Sequence, residues 1–334
     1  MSLDHLTFLE NPQLYDSVAI LGVPLDLGKD NAGTDSAPDH LRQHRLVEIL
    51  TSLGLTVNDL GNIPCETRTT ARMGDKRVKY LSAIVSAATS VANLTHREIK
   101  SGKKSICLGG DHSLSLGTIS GAAVACGGNL GLIYIDAHGD MMTSENTLSG
   151  NIHGMPSAAL LGWGHPDLVN IFTPGAKIKK ENMLYVGLKD LDQAEIDLIR
   201  REKLRAVTMM DIIQNGLGAA TAAIAELQTR VANIWVSLDI DSIDYEYAPA
   251  TFIVNHGGFT YREITALTKY IGKTCRVAGM DLVELVPQLD KDSRTADLAI
   301  ELIVNTLGGE YGWYTRYMQE AAAKQARRWV DASN

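Results

Sequence analysis

The stretch LGLIYIDAHGD, residues 130–140, opens with six uncharged residues and then turns abruptly polar. A continuous apolar run of that length suits a strand buried on both faces, as in a parallel sheet, better than the alternating pattern of a half-exposed strand. Similar runs recur at 17–25 (SVAILGVPL), 56–60, 104–108 (KSICL), 183–188, 204–208, 233–240 (NIWVSLDI) and 276–284 (RVAGMDLVE). Helical patterns fill the intervals at 39–53, 75–100, 114–126, 194–203, 211–231, 261–273 and 295–307. The βαβα order predicts an α/β chain with about eight strands in a mostly parallel sheet and helices on both faces.

Composition agrees with that architecture. The chain has 334 residues, 45% apolar but only 6% aromatic, so its core is built mainly from Val, Ile, Leu and Ala. At roughly 150 residues per domain the length allows about two domains. No linker, repeat or low-complexity segment interrupts the alternation, however, and a single domain over 1–334 is expected. Its core spans about 17–309 and is followed by a helical tail over 310–334, which is polar from 319 onward and serves as a solvated end or an oligomer contact. Thirty-one Lys and Arg against 39 Asp and Glu give a net charge of −8 without any basic block. That balance argues against nucleic acid or an anionic membrane as the main partner and leaves small molecules or proteins. Residues 1–16 lack a basic segment followed by an apolar one, and no run of 18 apolar residues occurs, so a cytoplasmic protein is expected. Cys65, Cys107, Cys126 and Cys275 show no metal-binding or redox spacing and read as reduced structural thiols.

Ligands of open parallel sheets bind beyond the carboxyl ends of the strands. There the chain concentrates its chemistry: Gly109-Gly110-Asp111-His112-Ser113 after one strand, Asp136-Ala137-His138-Gly139-Asp140 after the next, Asp239-Ile240-Asp241 after a third, and Glu284 at the end of a fourth. In extended chain Asp136, His138 and Asp140 share one face, as do Asp239 and Asp241. His112 completes a set of four carboxylates and two imidazoles. Four clustered carboxylates repel one another, and two divalent cations would neutralise them. Carboxylates mixed with imidazoles favour Mn²⁺, with Fe²⁺, Co²⁺ or Zn²⁺ as alternatives, and the reaction class is metal-assisted hydrolysis. A metal-dependent phosphatase would use similar ligands, but no phosphate-cradling loop or Arg cluster accompanies them.

These three motifs resemble the signatures of the ureohydrolases, the manganese enzymes that include arginase and agmatinase. Ser149-Gly150-Asn151-Ile152-His153-Gly154-Met155-Pro156 is similar to the bacterial-type arginase version of the segment after the second motif. So are Leu21-Gly22-Val23-Pro24-Leu25-Asp26-Leu27-Gly28, Gly187-Leu188-Lys189-Asp190-Leu191-Asp192 and Gly257-Gly258-Phe259-Thr260-Tyr261-Arg262-Glu263. The resemblance implies a three-layer α/β/α fold with an eight-stranded sheet and two Mn²⁺. One ion would be held by His112, Asp136, Asp140 and Asp239, the other by Asp136, His138, Asp239 and Asp241. A bridging hydroxide oriented by Asp140 would attack a guanidinium carbon, His153 would pass a proton to the leaving amine, and Glu284 would accept hydrogen bonds from the guanidinium. Thr147, Ser149 and Asn151 would hold the α-carboxylate of an arginine substrate, and Asp192 with Glu195 its α-ammonium. Family members are commonly trimers or hexamers, which makes a homo-oligomer the expectation.

The chain also departs from the family pattern. Met142 stands where arginases carry an Asn, Tyr245 where they carry a Pro, and Phe252-Ile253-Val254 where they carry Gly-Thr-Pro. The Thr of that tripeptide supports the guanidinium-binding Glu, so Ile253 is expected to leave Glu284 less well oriented, and the pocket to lose polar contacts and gain bulk. L-Arginine is the leading substrate. Agmatine, guanidinobutyrate, formiminoglutamate, and an arginase-like protein with little catalysis are the alternatives.

Overall fold

A computed structural model of the chain describes residues 16–312 together with 314, 315, 317, 318, 321, 322, 324 and 325. Its strands are Ser17–Val23 (β1), Thr56–Asn62 (β2), Lys104–Gly109 (β3), Leu130–Ile135 (β4), Met183–Leu188 (β5), Arg205–Thr208 (β6), Asn233–Asp239 (β7) and Val277–Val283 (β8). They form one sheet in the order β2-β1-β3-β8-β7-β4-β5-β6. Every neighbouring pair is parallel. The three-layer α/β/α architecture with an eight-stranded sheet is therefore as expected.

Each strand's place follows from its side chains. β4 is buried along its whole length. Its Ile133 and Ile135 enter one apolar layer and its Leu132 and Tyr134 the other, the strand's period of two carried into two cores. β2 reads TVNDLGN and β6 RAVT; these polar strands lie at the two edges, where only one neighbour is needed.

The helices differ in detail from the sequence reading. The pattern over 39–53 divides into Ala37–Gln43 and Leu46–Ser52 because Arg45 takes a φ of 67°, and that over 211–231 into Met209–Asn215 and Gly218–Gln228 at Gly216, with a φ of 66°. Tyr80, at a φ of 57°, delays the next long helix to Leu81–Lys100. A left-handed residue breaks the i→i−4 ladder, which a count of apolar spacings does not register. Pro156–Leu160 and Pro166–Val169 are two short helices where no pattern called for one; each starts on a proline, whose missing N–H costs nothing at that position. Of the tail expected to be helical over 310–334, the described residues from 314 to 325 are helical and the remainder lies outside the described residues. No described helix is long and apolar enough to cross a membrane.

The crossovers position the site. β3 and β4 are consecutive in the chain, yet β8 and β7 lie between them, so the four ends that carry the motifs stand side by side as β3-β8-β7-β4.

Candidate metal centre and substrate cavity

Each strand end uses a short local device to aim its side chains. After β3 the chain turns at Gly110, whose N–H reaches Val23 O at 3.1 Å, while Asp111 N–H reaches Leu25 O at 2.8 Å. A Cβ on Gly110 would sit 1.9 Å from the Leu25 carbonyl oxygen, so glycine alone permits the approach. Buried Asp111 accepts from Gly28 N at 2.7 Å and Ser113 N at 3.0 Å, capping the turn His112–Leu114 and tying it to the segment after β1. After β4, Asp136 Oδ1 accepts from His138 N at 2.7 Å; after β7, Asp239 Oδ1 accepts from Asp241 N at 2.8 Å. Both are Asx turns, in which the carboxylate replaces a backbone acceptor and folds the chain back. The acids and His138 thus converge through turns and not through the extended alternation expected from their spacing.

The resulting distances are short. His112 Nδ1 lies 3.2 Å from Asp136 Oδ2, 3.1 Å from Asp140 Oδ2 and 3.1 Å from Asp239 Oδ2. His138 Nδ1 lies 3.3 Å from both Asp136 Oδ1 and Asp241 Oδ2. Two groups, His112/Asp136/Asp239 and Asp136/His138/Asp241, each offer ligand atoms within 4.8 Å of one another, and Asp136 belongs to both. Asp140 sits beside the first group with a φ of 51°, a left-handed backbone that bulkier surroundings must hold in place.

Electrostatics show what this cluster needs. Burial and the neighbouring Asp241 carboxylate push Asp239 up to about 8. Burial and Asp136, partly offset by His138, push Asp241 up to about 6. Burial together with Asp239 and Asp140 raises Asp136 as well. Burial disfavours charge on His112 and His138, but the surrounding carboxylates outweigh it and hold both above the ordinary imidazole range. Asp136 Oδ2 and Asp241 Oδ1 are buried without a hydrogen bond, a costly state unless a cation takes their lone pairs. The oxygen and imidazole donors suit two divalent ions, whose total charge of about +4 matches the four aspartates.

Behind the cluster, side chains set its orientation. Ser237 donates to Asp281, so its oxygen accepts from His112 Nε2 at 2.9 Å and fixes Nδ1 as the ring nitrogen that faces the carboxylates. Asp281 also accepts from Trp235 Nε1 at 2.6 Å and Thr118 Oγ1 at 2.7 Å. Tyr134, two residues before Asp136 and on its face of the strand, donates to Asp140 Oδ2 at 2.7 Å and stacks on His112 with ring centroids 4.6 Å apart. Tyr134→Phe is expected to lower metal affinity by about 10- to 100-fold. Metal titration of the folded variant checks this, and unchanged affinity would leave Tyr134 a packing residue only.

A cavity of about 470 Å³ opens onto the cluster, walled by His138, Asp140, Met142, His153, Asp192, Glu195, Asp239, Asp241 and Ile253 among others.

Residues 16–308 match the Arginase family. The chain belongs to the arginase family. Among its relatives, the arginase of Brevibacillus brevis is 37% identical over 295 residues, 87% of this chain and 98% of that protein. The Bacillus caldovelox arginase is 36% identical over 293 residues, again 87% and 98%. The crystal structure of the latter superposes with a TM-score of 0.84 over 89% of this chain and 99% of its own, at 35% identity.

Within this arginase-family chain the residues singled out for proton transfer and substrate binding divide into groups. His153 lies on the cavity wall, its Nδ1 3.4 Å from Glu284 Oε1. Thr147, Ser149 and Asn151 are engaged locally: Thr147 Oγ1 accepts from Gly150 N at 2.9 Å, Ser149 Oγ from Asn151 N at 3.2 Å, and Asn151 Oδ1 from Lys79 Nζ at 3.0 Å. Asp192 is exposed at the cavity rim. Glu195 is buried, accepting from Met141 N at 3.1 Å and Asp192 N at 3.0 Å, and so holds the loop after the second motif against the helix Gln193–Glu202. Met142 and Ile253 both face the cavity.

Glu284, by contrast, is not loosened by Ile253. Its Oε1 accepts from His112 N at 2.9 Å and its Oε2 pairs with Lys29 Nζ. Burial works against its charge, but Lys29 and His153 outweigh it and hold the carboxyl well below its usual range. Lys29 is the participant that motif spacing missed. The available signal was its place directly after Gly28 at the carboxyl end of β1, the same edge that collects the other site residues.

Proposed function

We propose that the protein is a dinuclear, metal-dependent hydrolase that cleaves the guanidinium group of L-arginine to urea and L-ornithine. The observation that carries this reading is the pair of His/Asp groups sharing Asp136, whose His138, Asp239 and Asp241 line a cavity, in an arginase-family chain. His112, Asp136, Asp140 and Asp239 would hold one ion, and Asp136, His138, Asp239 and Asp241 the other. We assign manganese from the donor set, four hard carboxylates with two imidazoles. Bound there, two divalent ions supply Lewis acidity that brings the pKa of a water towards neutrality.

The chain's own groups perform the rest. Glu284 and the cavity wall orient the guanidinium so that its carbon faces the cluster. Asp140, steadied by Tyr134, orients the attacking water. His153, on the wall and paired with Glu284, takes up a proton and returns it to the amine nitrogen that leaves as ornithine, so protons balance over the cycle. Asp192 meets the α-ammonium, and Thr147, Ser149 and Asn151 the α-carboxylate, by way of a loop that Glu195 holds in position.

Urea release from arginine with added Mn²⁺ tests the assignment, and a folded, metal-loaded protein without turnover would overturn it. A second reading is favoured by Met142 and Ile253, which put apolar surface on the cavity wall: a guanidino or formimino substrate other than arginine. Agmatine, guanidinobutyrate and formiminoglutamate assayed beside arginine decide between them. The single sheet supports one domain over 1–334. A cytoplasmic homo-oligomer, trimer or hexamer, completes the proposal, with sedimentation as its check.

A further inference from the structure

Glu284 follows β8 directly, with a φ of 66°, and its carboxylate accepts from the backbone of His112 at the edge of the cluster. Both of its oxygens are occupied. Oε1 takes the His112 N–H, and Oε2 is covered by the Lys29 ammonium, whose side chain is only 7% exposed. Burial works against the charge on Lys29, yet the Glu284 carboxylate outweighs it and holds the ammonium above its ordinary range. The ring of Phe252, one of the residues standing where the family has Gly-Thr-Pro, lies over the ammonium with its centroid 5.0 Å from Nζ. The backbone at Lys29 is also pinned: Arg68 donates to Lys29 O at 2.5 Å and to Asp26 O. Lys29, Phe252 and Glu284 therefore form one unit in which the protein supplies its own cation to a carboxylate that faces the site.

A guanidinium binds a carboxylate best through two parallel N–H bonds, one to each oxygen. Here that face is already held by an ammonium. An incoming guanidinium must displace Lys29 or share Glu284 with it, at the cost of two like charges in contact with little water between them. A headgroup without charge meets no such competition.

We propose that Lys29 is a specificity-determining residue, an internal cation that competes with the substrate's guanidinium for Glu284 and weakens the binding of every cationic headgroup at this site. The proposal rests on the arginine-hydrolysing reading only for its kinetic test, since binding of the bare cation reports on it separately.

Lys29→Met keeps the apolar stem and removes the charge; Lys29→Arg keeps the charge. Relative to the parent, Lys29→Met is expected to lower KM for arginine at least about ten-fold, with the larger share of the change in KM and the smaller in kcat. It is likewise expected to bind guanidinium ion, supplied as millimolar guanidinium chloride to metal-free protein in calorimetry against a sodium chloride control, at least about ten-fold more tightly. Lys29→Arg should stay near the parent in both. If Lys29→Met does not fold, Lys29→Gln takes its place. Values for the uncharged variant within about two-fold of the parent, or a KM that rises, would overturn the proposal. If no protein releases urea but Lys29→Met gains guanidinium affinity, the substrate reading fails and the role of Lys29 stands. If the parent releases urea and the uncharged variant changes neither KM nor guanidinium affinity, the reverse holds.

Discussion

Asp136→Asn is expected to reduce urea release by at least about 10³-fold while raising the melting temperature of the metal-free protein. Asp136 belongs to both ligand groups, so its loss weakens both ions together. The substitution keeps an oxygen able to accept the His138 N–H, which preserves the turn after β4. What it removes is a buried charge that burial, Asp239 and Asp140 all disfavour in the absence of metal. Activity and metal-free stability should therefore move in opposite directions. Calorimetric or fluorescence melting with and without chelator, alongside the urea assay, tests both. A metal-free variant that melts below the metal-free parent would mean that Asp136 holds the fold together through His112 and His138, and the idea of a frustrated cluster would fail.

Stripping the protein with a chelator is expected to lower its melting temperature, and the gap between loaded and stripped forms should widen as pH rises from about 5 to about 8. In the stripped protein Asp239 is pushed up to about 8 and Asp241 to about 6, with His112 and His138 also raised. Unfolded carboxyls titrate near about 4 and imidazoles near about 6.5. Over that interval the folded, stripped protein holds more protons than the unfolded chain. The contribution of the two aspartates is complete below about pH 4 and is lost as pH rises through their folded values. Asp140 shifts the other way, lowered by His112 against the effect of burial, but it is ionised in both folded and unfolded chains above about pH 5 and adds no slope over this interval. Metal binding displaces these protons, so affinity grows with pH and adds to the divergence. At a free concentration of about 1,000 times its Kd, each ion contributes about 4 kcal/mol of stability. Melting curves at several pH values with excess Mn²⁺ and with chelator provide the measurement; a gap that is flat or narrows with pH would show that the cluster does not bind metal through these groups.

Much of the site was legible because its devices are local. An apolar run followed by Asp136 and His138, or by Asp239 and Asp241, reads as a strand end because strand and turn are both encoded within a few residues. The geometry was less so: alternation in extended chain predicts a shared face for Asp136, His138 and Asp140, whereas Asx turns and the left-handed Asp140 achieve the convergence. Helix breaks at Arg45 and Gly216 escaped notice because one left-handed residue leaves apolar periodicity almost unchanged. The roles of Thr147, Ser149 and Asn151 came from motif resemblance; in the fold their nearest partners are their own loop and Lys79.

The sequence by itself determined the eight strands, the α/β class and the identity of the His and Asp side chains gathered at the strand ends, because each depends on composition and spacing over a dozen residues or fewer. Only the tertiary structure decided which strand ends became neighbours. β3 and β4 adjoin in the chain, but β8 and β7 lie between them in the sheet, bringing Glu284 and Asp239 between His112 and Asp136. It likewise decided that Lys29 meets Glu284 across 255 residues of sequence. Strand order is settled by how crossover helices pack on the two faces of the sheet, a free energy spread over the whole core, and no local pattern carries it.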